Sequence, residues 1–297
     1  MQIRAFKLRS ENASEREVIS MKKAEAVLLG ITAIWGFTFP AMKVSLDYIS
    51  PILFLAYRFG IASLLMLLIF RNKVLQNDTL KEGFILGITL FFGHGFQIVG
   101  LKYTTASNSA FITSLYVVFT PFIAYFILKD KLELRDFVSL IIAVIGLYLI
   151  SGASLKFNRG DLLTVLCALS FAFQIVLVQK FGQKDYLSLS FWQIFWNFVF
   201  SFTYAGIVEG FRFPTNYLPW LGILYTSLFA TVIAFTLQIK YQKETKAHRA
   251  ALIYSAEPIF GHISAFLTMR EILSLKGYTG AALILAAIWN EIRNERA

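Results

Sequence analysis

The run YTTASNSAFITSLYVVFTPFIAYFIL (103–128) contains no charged side chain and is closed by Lys129, Asp130 and Lys131. Wound as a helix at about 1.5 Å per residue, it is long enough to cross the ~30 Å hydrocarbon core of a bilayer, which takes about 20 residues. Five further uncharged runs have the same character: 83–101, 137–155, 162–179, 186–208 and 213–239. Four more segments, 26–42, 51–70, 250–269 and 277–290, are apolar but shortened or interrupted, the second by Arg58 and the third by Glu257. The sequence therefore predicts an all-α membrane protein with ten transmembrane helices. They fall near 24–43, 51–70, 83–101, 106–128, 137–152, 161–179, 187–208, 217–238, 247–269 and 277–291. A closed barrel would need short strands of alternating polarity, which the chain does not have.

Composition points the same way. Of 297 residues, 57% are apolar and 15% charged, whereas soluble chains carry about a quarter charged residues. A soluble enzyme, a coiled coil and a disordered chain are excluded, and so is a disulfide scaffold, because Cys167 is the sole cysteine. The net charge of +10 reads as topology rather than as a nucleic-acid surface. With the N-terminus inside, twenty of the 28 basic residues fall in inner segments and seven in outer ones, among them Lys43, Lys102 and Arg212. Ten spans then leave both termini in the cytoplasm, and the expected home is a bacterial-type inner membrane. Residues 1–23 are polar and lack the apolar core of a signal peptide, so they read as a cytoplasmic extension.

Displacing the chain against itself by 141 residues pairs Lys43 with Lys184, Gln97 with Gln238, Lys102 with Lys243, Ser114 with Ser255 and Asp130 with Glu271 without a gap. Spans 1–5 thereby map onto spans 6–10. Five is odd, so the second copy enters from the opposite face, which is the inverted repeat of many secondary transporters, with a substrate site near the midplane. The expected units are 24–153 and 160–291.

The stretches WGFTFPAMK (35–43), SPILFLAYRFGIA (50–62) and GLKYTTASNSAFITSLYVVFTPFIAYFILKDK (100–131) resemble the EamA-type family of the drug/metabolite transporter superfamily. So do QIKYQKETKAHRAALIYSAEPIFGHISAFLTMRE (238–271) and GYTGAALILAAI (277–288), as the family's second copy. Asp130 stands where the family commonly has Glu, and His248 and His262 occupy positions usually small or variable. The resemblance implies a ten-helix carrier that moves small metabolites, often amino acids or related compounds, outward by alternating access. A lipid-handling flippase and a multidrug efflux carrier are the alternatives.

Polar side chains at membrane depth are costly and each asks for a reason. Glu257 lies about 15 Å along its span from Ala247, near the bilayer centre, where a carboxylate is either protonated or paired with a cation. Pro258 follows it and breaks the backbone ladder. Glu257 is thus a candidate to bind a cationic group or to exchange a coupling proton. Arg58, roughly 10 Å below the outer surface, either holds a substrate carboxylate or ties spans together through backbone carbonyls. That recurring arginine is, by the resemblance, structural. His94 and Gln97 share one helix face, and Gln238 supplies the matching amide from the second half. Trp35, Tyr116 and Tyr254 complete the candidate lining, Tyr116 being the repeat mate of Glu257. Pro40, Pro121 and Pro258 are expected kinks, and because Pro121 aligns with His262, those of spans 4 and 9 are expected to differ by about one turn. Trp192 and Trp196 should form an aromatic stripe beside the amides Gln193 and Asn197. Three histidines, one cysteine and no His-x-x-x-His or Cys-x-x-Cys spacing leave nothing to ligate a metal with, so no metal site is expected. No cofactor and no enzymatic chemistry are expected, nor an ATP site, since no GxxxxGK[ST] run exists. The expected partners are a small-molecule substrate and lipid, with a proton as candidate coupling ion, in a monomer or homodimer.

Overall fold

The computed structural model describes residues 23–151, 158–270, 272 and 274–294. The extension expected over residues 1–23 lies, but for Lys23, outside the described residues, as does Glu271. Among the described residues the regular structure is helical: α1 (Lys23–Ser45), α2 (Pro51–Phe70), α3 (Leu80–Tyr103), α4 (Ala106–Ser114), α5 (Tyr116–Leu128) and α6 (Leu134–Ser151). After a connection come α7 (Arg159–Phe181), α8 (Tyr186–Tyr204), α9 (Leu218–Tyr225), α10 (Ala234–Gln242), α11 (Ala247–Tyr254), α12 (Glu257–Met269) and α13 (Leu275–Asn294). Among the described residues, six stretches are long and apolar enough to cross a membrane: Lys23–Ser45, Pro51–Phe70, Leu80–Tyr103, Asn108–Leu128, Arg159–Phe181 and Leu218–Gln242. The expected spans at 137–152, 187–208, 247–269 and 277–291 are also largely helical. They do not meet that length and hydropathy by themselves.

The offset of 141 is visible in the backbone. Helices α4, α5 and α6 begin at Ala106, Tyr116 and Leu134, and α11, α12 and α13 begin 141 residues later at Ala247, Glu257 and Leu275. Between α4 and α5 the chain tightens at Leu115, whose N–H reaches Ile112 O at 3.1 Å, while Val118 N–H reaches Leu115 O at 2.9 Å. The same two three-residue bonds recur between α11 and α12, from Ala256 to Ile253 at 3.2 Å and from Ile259 to Ala256 at 2.9 Å. Both short helices also end on a left-handed residue, Lys129 (φ 63°) after α5 and Arg270 (φ 58°) after α12.

The expectation that these two kinks differ by a turn is therefore corrected. The breaks fall at equivalent positions, Leu115 and Ala256, although only one has a proline beside it. Pro121 sits inside α5, whereas Pro258 opens α12, where its missing N–H costs nothing. What is shared is the tightened backbone, not the proline. In α1 the helix slackens at Phe37, three residues before Pro40, which cannot donate to the preceding turn.

Small residues let the helices approach. Gly36 of α1 lies against α12, where a Cβ would stand 2.6 Å from Phe260 Cβ and 2.7 Å from Glu257 O. Gly146 of α6 and Gly280 of α13 face each other, each placing the other's carbonyl where a Cβ would be, at 2.7 and 2.5 Å. Contacts of that closeness are how helices gain dispersion energy where lipid offers no hydrophobic drive.

Side chains fasten the helix ends. Glu209, in the π-helical turn Ala205–Glu209 that extends α8, accepts the N–H groups of Ile52 and Leu53 at 3.1 and 2.8 Å, capping the start of α2. Lys43 donates to the carbonyls of Leu101 and Thr104 at the end of α3, at 2.6 and 2.8 Å, where the helix dipole favours a cation. Asn158 and Asp161 form a capping box at the start of α7, and Asp161 also accepts from Thr104 and Asn108.

Candidate functional site

The breaks before α5 and α12 and the crossing of α1 with α12 adjoin an internal cavity. It is lined by Trp35 and Thr38 of α1, Arg58 of α2, Leu90, His94 and Gln97 of α3, and Tyr116 of α5. From the later helices come Phe171, Gln174 and Ile175 of α7, Phe235 and Gln238 of α10, Tyr254 of α11 and Glu257 of α12. All eight residues singled out by sequence thus surround one space. Its volume is about 50 Å³, room for a few waters and far short of the ~300–1,000 Å³ of ligand pockets.

Two opposite charges border this space. Glu257 is 6% exposed and its Oε2 accepts from the Tyr116 hydroxyl at 3.4 Å, a long and weak contact. The two residues are 141 apart in sequence, so repeat mates meet where the two helix breaks face each other. Arg58 is 2% exposed, donates from Nε to Thr231 Oγ1 at 2.8 Å and lies over the Phe59 ring at 5.1 Å. No acid lies within ion-pair distance of Arg58, and no base within that distance of Glu257, among the described residues. A buried charge without a partner costs several kcal/mol. Among the described residues Arg58 and Glu257 thus meet hydroxyls, Thr231 and Tyr116, and neither has an ionic partner.

Between them lie aromatic and amide walls. His94 has Nδ1 3.0 Å from its own helix carbonyl Leu90 O. A proton on Nδ1 for that bond leaves Nε2 an acceptor. The ring is held edge-on by Phe59, Phe171 and Phe235, with centroids 5.0 to 5.8 Å away. Trp35 donates from Nε1 to Ala230 O at 3.1 Å and meets Tyr254 edge-to-face at 5.3 Å. That carbonyl belongs to the π-helical turn Thr226–Ile233 joining α9 to α10, the same turn that offers Thr231 to Arg58.

Gln238 forms a reciprocal amide pair with Gln174, at 3.3 and 3.4 Å, and donates to Gln242 at 3.1 Å. Tyr254 donates to the same Gln242 oxygen at 3.1 Å. Gln97 borders the cavity from α3. Gln174 and Gln242 escaped the sequence reading. The uncharged run 162–179 contains Gln174 as one of few strongly polar residues, and the rule that polar groups at depth need a reason identifies it. Pro40, Pro121 and Pro258 do not border the cavity, and neither does His262. Trp192 donates to Gln76 O at 3.0 Å, and Gln193 and Asn197 are wholly buried in the packing of α8. That stripe serves helix contacts rather than the cavity. Asp130, after α5, is partly buried, and burial raises its carboxyl above the usual range against the pull of nearby Lys246.

Residues 22–152 and 158–290 each match the EamA-like transporter family. A protein of Archaeoglobus fulgidus described as an uncharacterized transporter is 40% identical over 266 residues, covering 89% of this chain and 84% of its own. A Salmonella typhimurium protein named a probable amino-acid metabolite efflux pump is 24% identical over 285 residues, covering 90% of this chain and 94% of its own. A solved crystal structure superposes with a TM-score of 0.79 at 16% identity, covering 93% of this chain and 99% of its own. That likeness shows the fold alone.

Proposed function

The chain belongs to the EamA-like transporter family, a multi-pass membrane transporter and not an enzyme, and from that premise we propose that it exports small zwitterionic metabolites such as amino acids. The observation that carries this reading is the placing of Arg58 and Glu257, opposite in charge and without ionic partners among the described residues, on one cavity. A substrate carboxylate satisfies the planar guanidinium bidentately, and a substrate ammonium pairs with Glu257. Phe171, Phe235 and Trp35 take the side chain. In the inverted ten-span arrangement the two five-helix halves rock about this site, with both termini in the cytoplasm of an inner membrane. At about 50 Å³ the cavity admits no amino acid, so entry requires the halves to part, as alternating access demands.

Without substrate, a proton on Glu257 removes the cost of its bare charge, so release of the ammonium group and protonation of Glu257 exchange for one another. Proteoliposomes loaded with unlabelled amino acid and given labelled amino acid outside test this reading. Counterflow of zwitterions, absent for the decarboxylated amine and for the deaminated acid, is expected. Glu257→Gln abolishes the dependence on a pH gradient, and Arg58→Lys raises the half-saturating concentration. Counterflow by Glu257→Gln that still follows the pH gradient overturns the coupling role. A wild-type protein that carries lipid but no zwitterion overturns the substrate class.

A further inference from the structure

Away from the cavity, three helices bring Asp136, His248 and Glu291 together, all buried, at 3%, 2% and 3% exposure. Asp136 stands in the first turn of α6, His248 is the second residue of α11, and Glu291 lies in the last turn of α13. One ligand atom from each lies within 4.8 Å of the others. His248 Nε2 is 3.6 Å from Asp136 Oδ2 and 3.8 Å from Glu291 Oε1, and it makes no hydrogen bond.

Those separations are too long for hydrogen bonds and suit a shared cation. Ligands held about 2.0–2.2 Å from one divalent ion, at tetrahedral to trigonal angles, stand roughly 3.3–3.7 Å apart. Each carboxylate is steadied by other groups. Asp136 Oδ2 accepts the Glu133 N–H at 2.8 Å, and Glu291 Oε1 accepts from Arg249 Nε at 3.1 Å. Ser139 also bonds Glu291, and Arg135 stands 3.9 Å from Asp136 Oδ1 at the exposed rim. The buried carboxylates thus converge on an imidazole nitrogen that no hydrogen bond occupies, with Arg249 and the half-exposed Arg135 on their outer sides.

We propose that Asp136, His248 and Glu291 form a divalent-metal site that clasps α6 to α11 and α13. An imidazole nitrogen with two carboxylate oxygens is a donor set for zinc or manganese rather than magnesium. Because α6 and α13 are repeat mates packed against each other through Gly146 and Gly280, the ion clamps the start of the first-half helix to the end of its second-half mate. Sequence spacing concealed the site, since its ligands come from three distant helices. It is independent of the transport reading.

The test uses the full chain in detergent, with its affinity tag removed, stripped with EDTA and dialysed. Zn²⁺, Mn²⁺ or Mg²⁺ is then returned, and melting temperature and retained metal are measured. The expected result is about one Zn²⁺ or Mn²⁺ held per chain with a raised melting temperature, and no such effect of Mg²⁺. Binding is lost in His248→Ala and Asp136→Asn and kept in His262→Ala. The stripping and return on the wild-type chain stand even where a variant fails to fold. Absence of retained metal in the wild type overturns the proposal. Retention unchanged in His248→Ala, or a melting temperature that follows pH and ignores metal, overturns it equally.

Discussion

Gly36 and Gly261 face each other where α1 crosses α12, beside Glu257, and the structure assigns them opposite tolerances. A Cβ on Gly36 would lie 2.6 Å from Phe260 Cβ, 2.7 Å from Glu257 O and 2.9 Å from Gly261 N. Ordinary contact begins near 3.4 Å, so α1 and α12 must separate by several tenths of an ångström to about 0.8 Å. Overpacking costs about 1–3 kcal/mol, and the upper end applies because two of the three obstacles are backbone, which cannot rotate away. A Cβ on Gly261 meets only Gly36 O, at an ordinary 3.6 Å. Alanine there gains the usual helix advantage over glycine, roughly 0.5–1 kcal/mol. Gly36 is helical too and gains the same advantage, so Gly36→Ala and Gly261→Ala should differ by the overpacking cost alone, about 2–3 kcal/mol. Unfolding titration in mixed detergent reads that difference. Counterflow in liposomes should fall only for Gly36→Ala, because its separation displaces the Glu257 backbone. Equal damage from both variants, or a neutral Gly36→Ala, would refute the reasoning from the crossing geometry.

Three further outcomes are expected. Glu209→Ala should destabilise by about 0.5–2 kcal/mol through loss of the cap on Ile52 and Leu53, with Glu209→Gln retaining part of it, as the same titration measures. Thr231→Val strips Arg58 of its Nε partner and should cost about 1–3 kcal/mol or more. Thr231→Ser restores it, and a Val variant as stable as wild type would show that Arg58 is held by other means. Gln174→Leu removes both bonds of the amide pair and leaves Gln238 its bond to Gln242, which should cost about 1–3 kcal/mol. A stability gain there would mean that hydrocarbon packing outweighs the amide network.

Much of the architecture was legible because a membrane punishes charge so heavily. Arg58 and Glu257 stood out as the charges inside apolar runs, and both border the cavity. Tyr116 was found by the offset alone, as the mate of Glu257, and the two are in contact. Reading Pro121 as the kink of its span misled, since it sits inside α5 and the tightened turn falls at Leu115, the mate of the one at Ala256. Gln174 was overlooked because an uncharged run hides amides, and Gln242 because it stands between Lys240 and Lys243, where a polar residue asks for no explanation. The grouping of Asp136, His248 and Glu291 could not be read at all, because nothing in one dimension says which helix ends converge.

By itself the sequence determined an all-helical membrane chain, its duplication at 141 residues and which charges had to be accounted for. Each rests on local or periodic cost, namely the length of apolar runs and the expense of polar groups in hydrocarbon. Only the tertiary structure decided who meets whom. It left Arg58 and Glu257 on one cavity without ionic partners among the described residues, set Gly36 against the Glu257 backbone, and joined a first-half aspartate to a second-half histidine and glutamate. These are contacts between distant segments, fixed by helix packing and therefore absent from any local pattern.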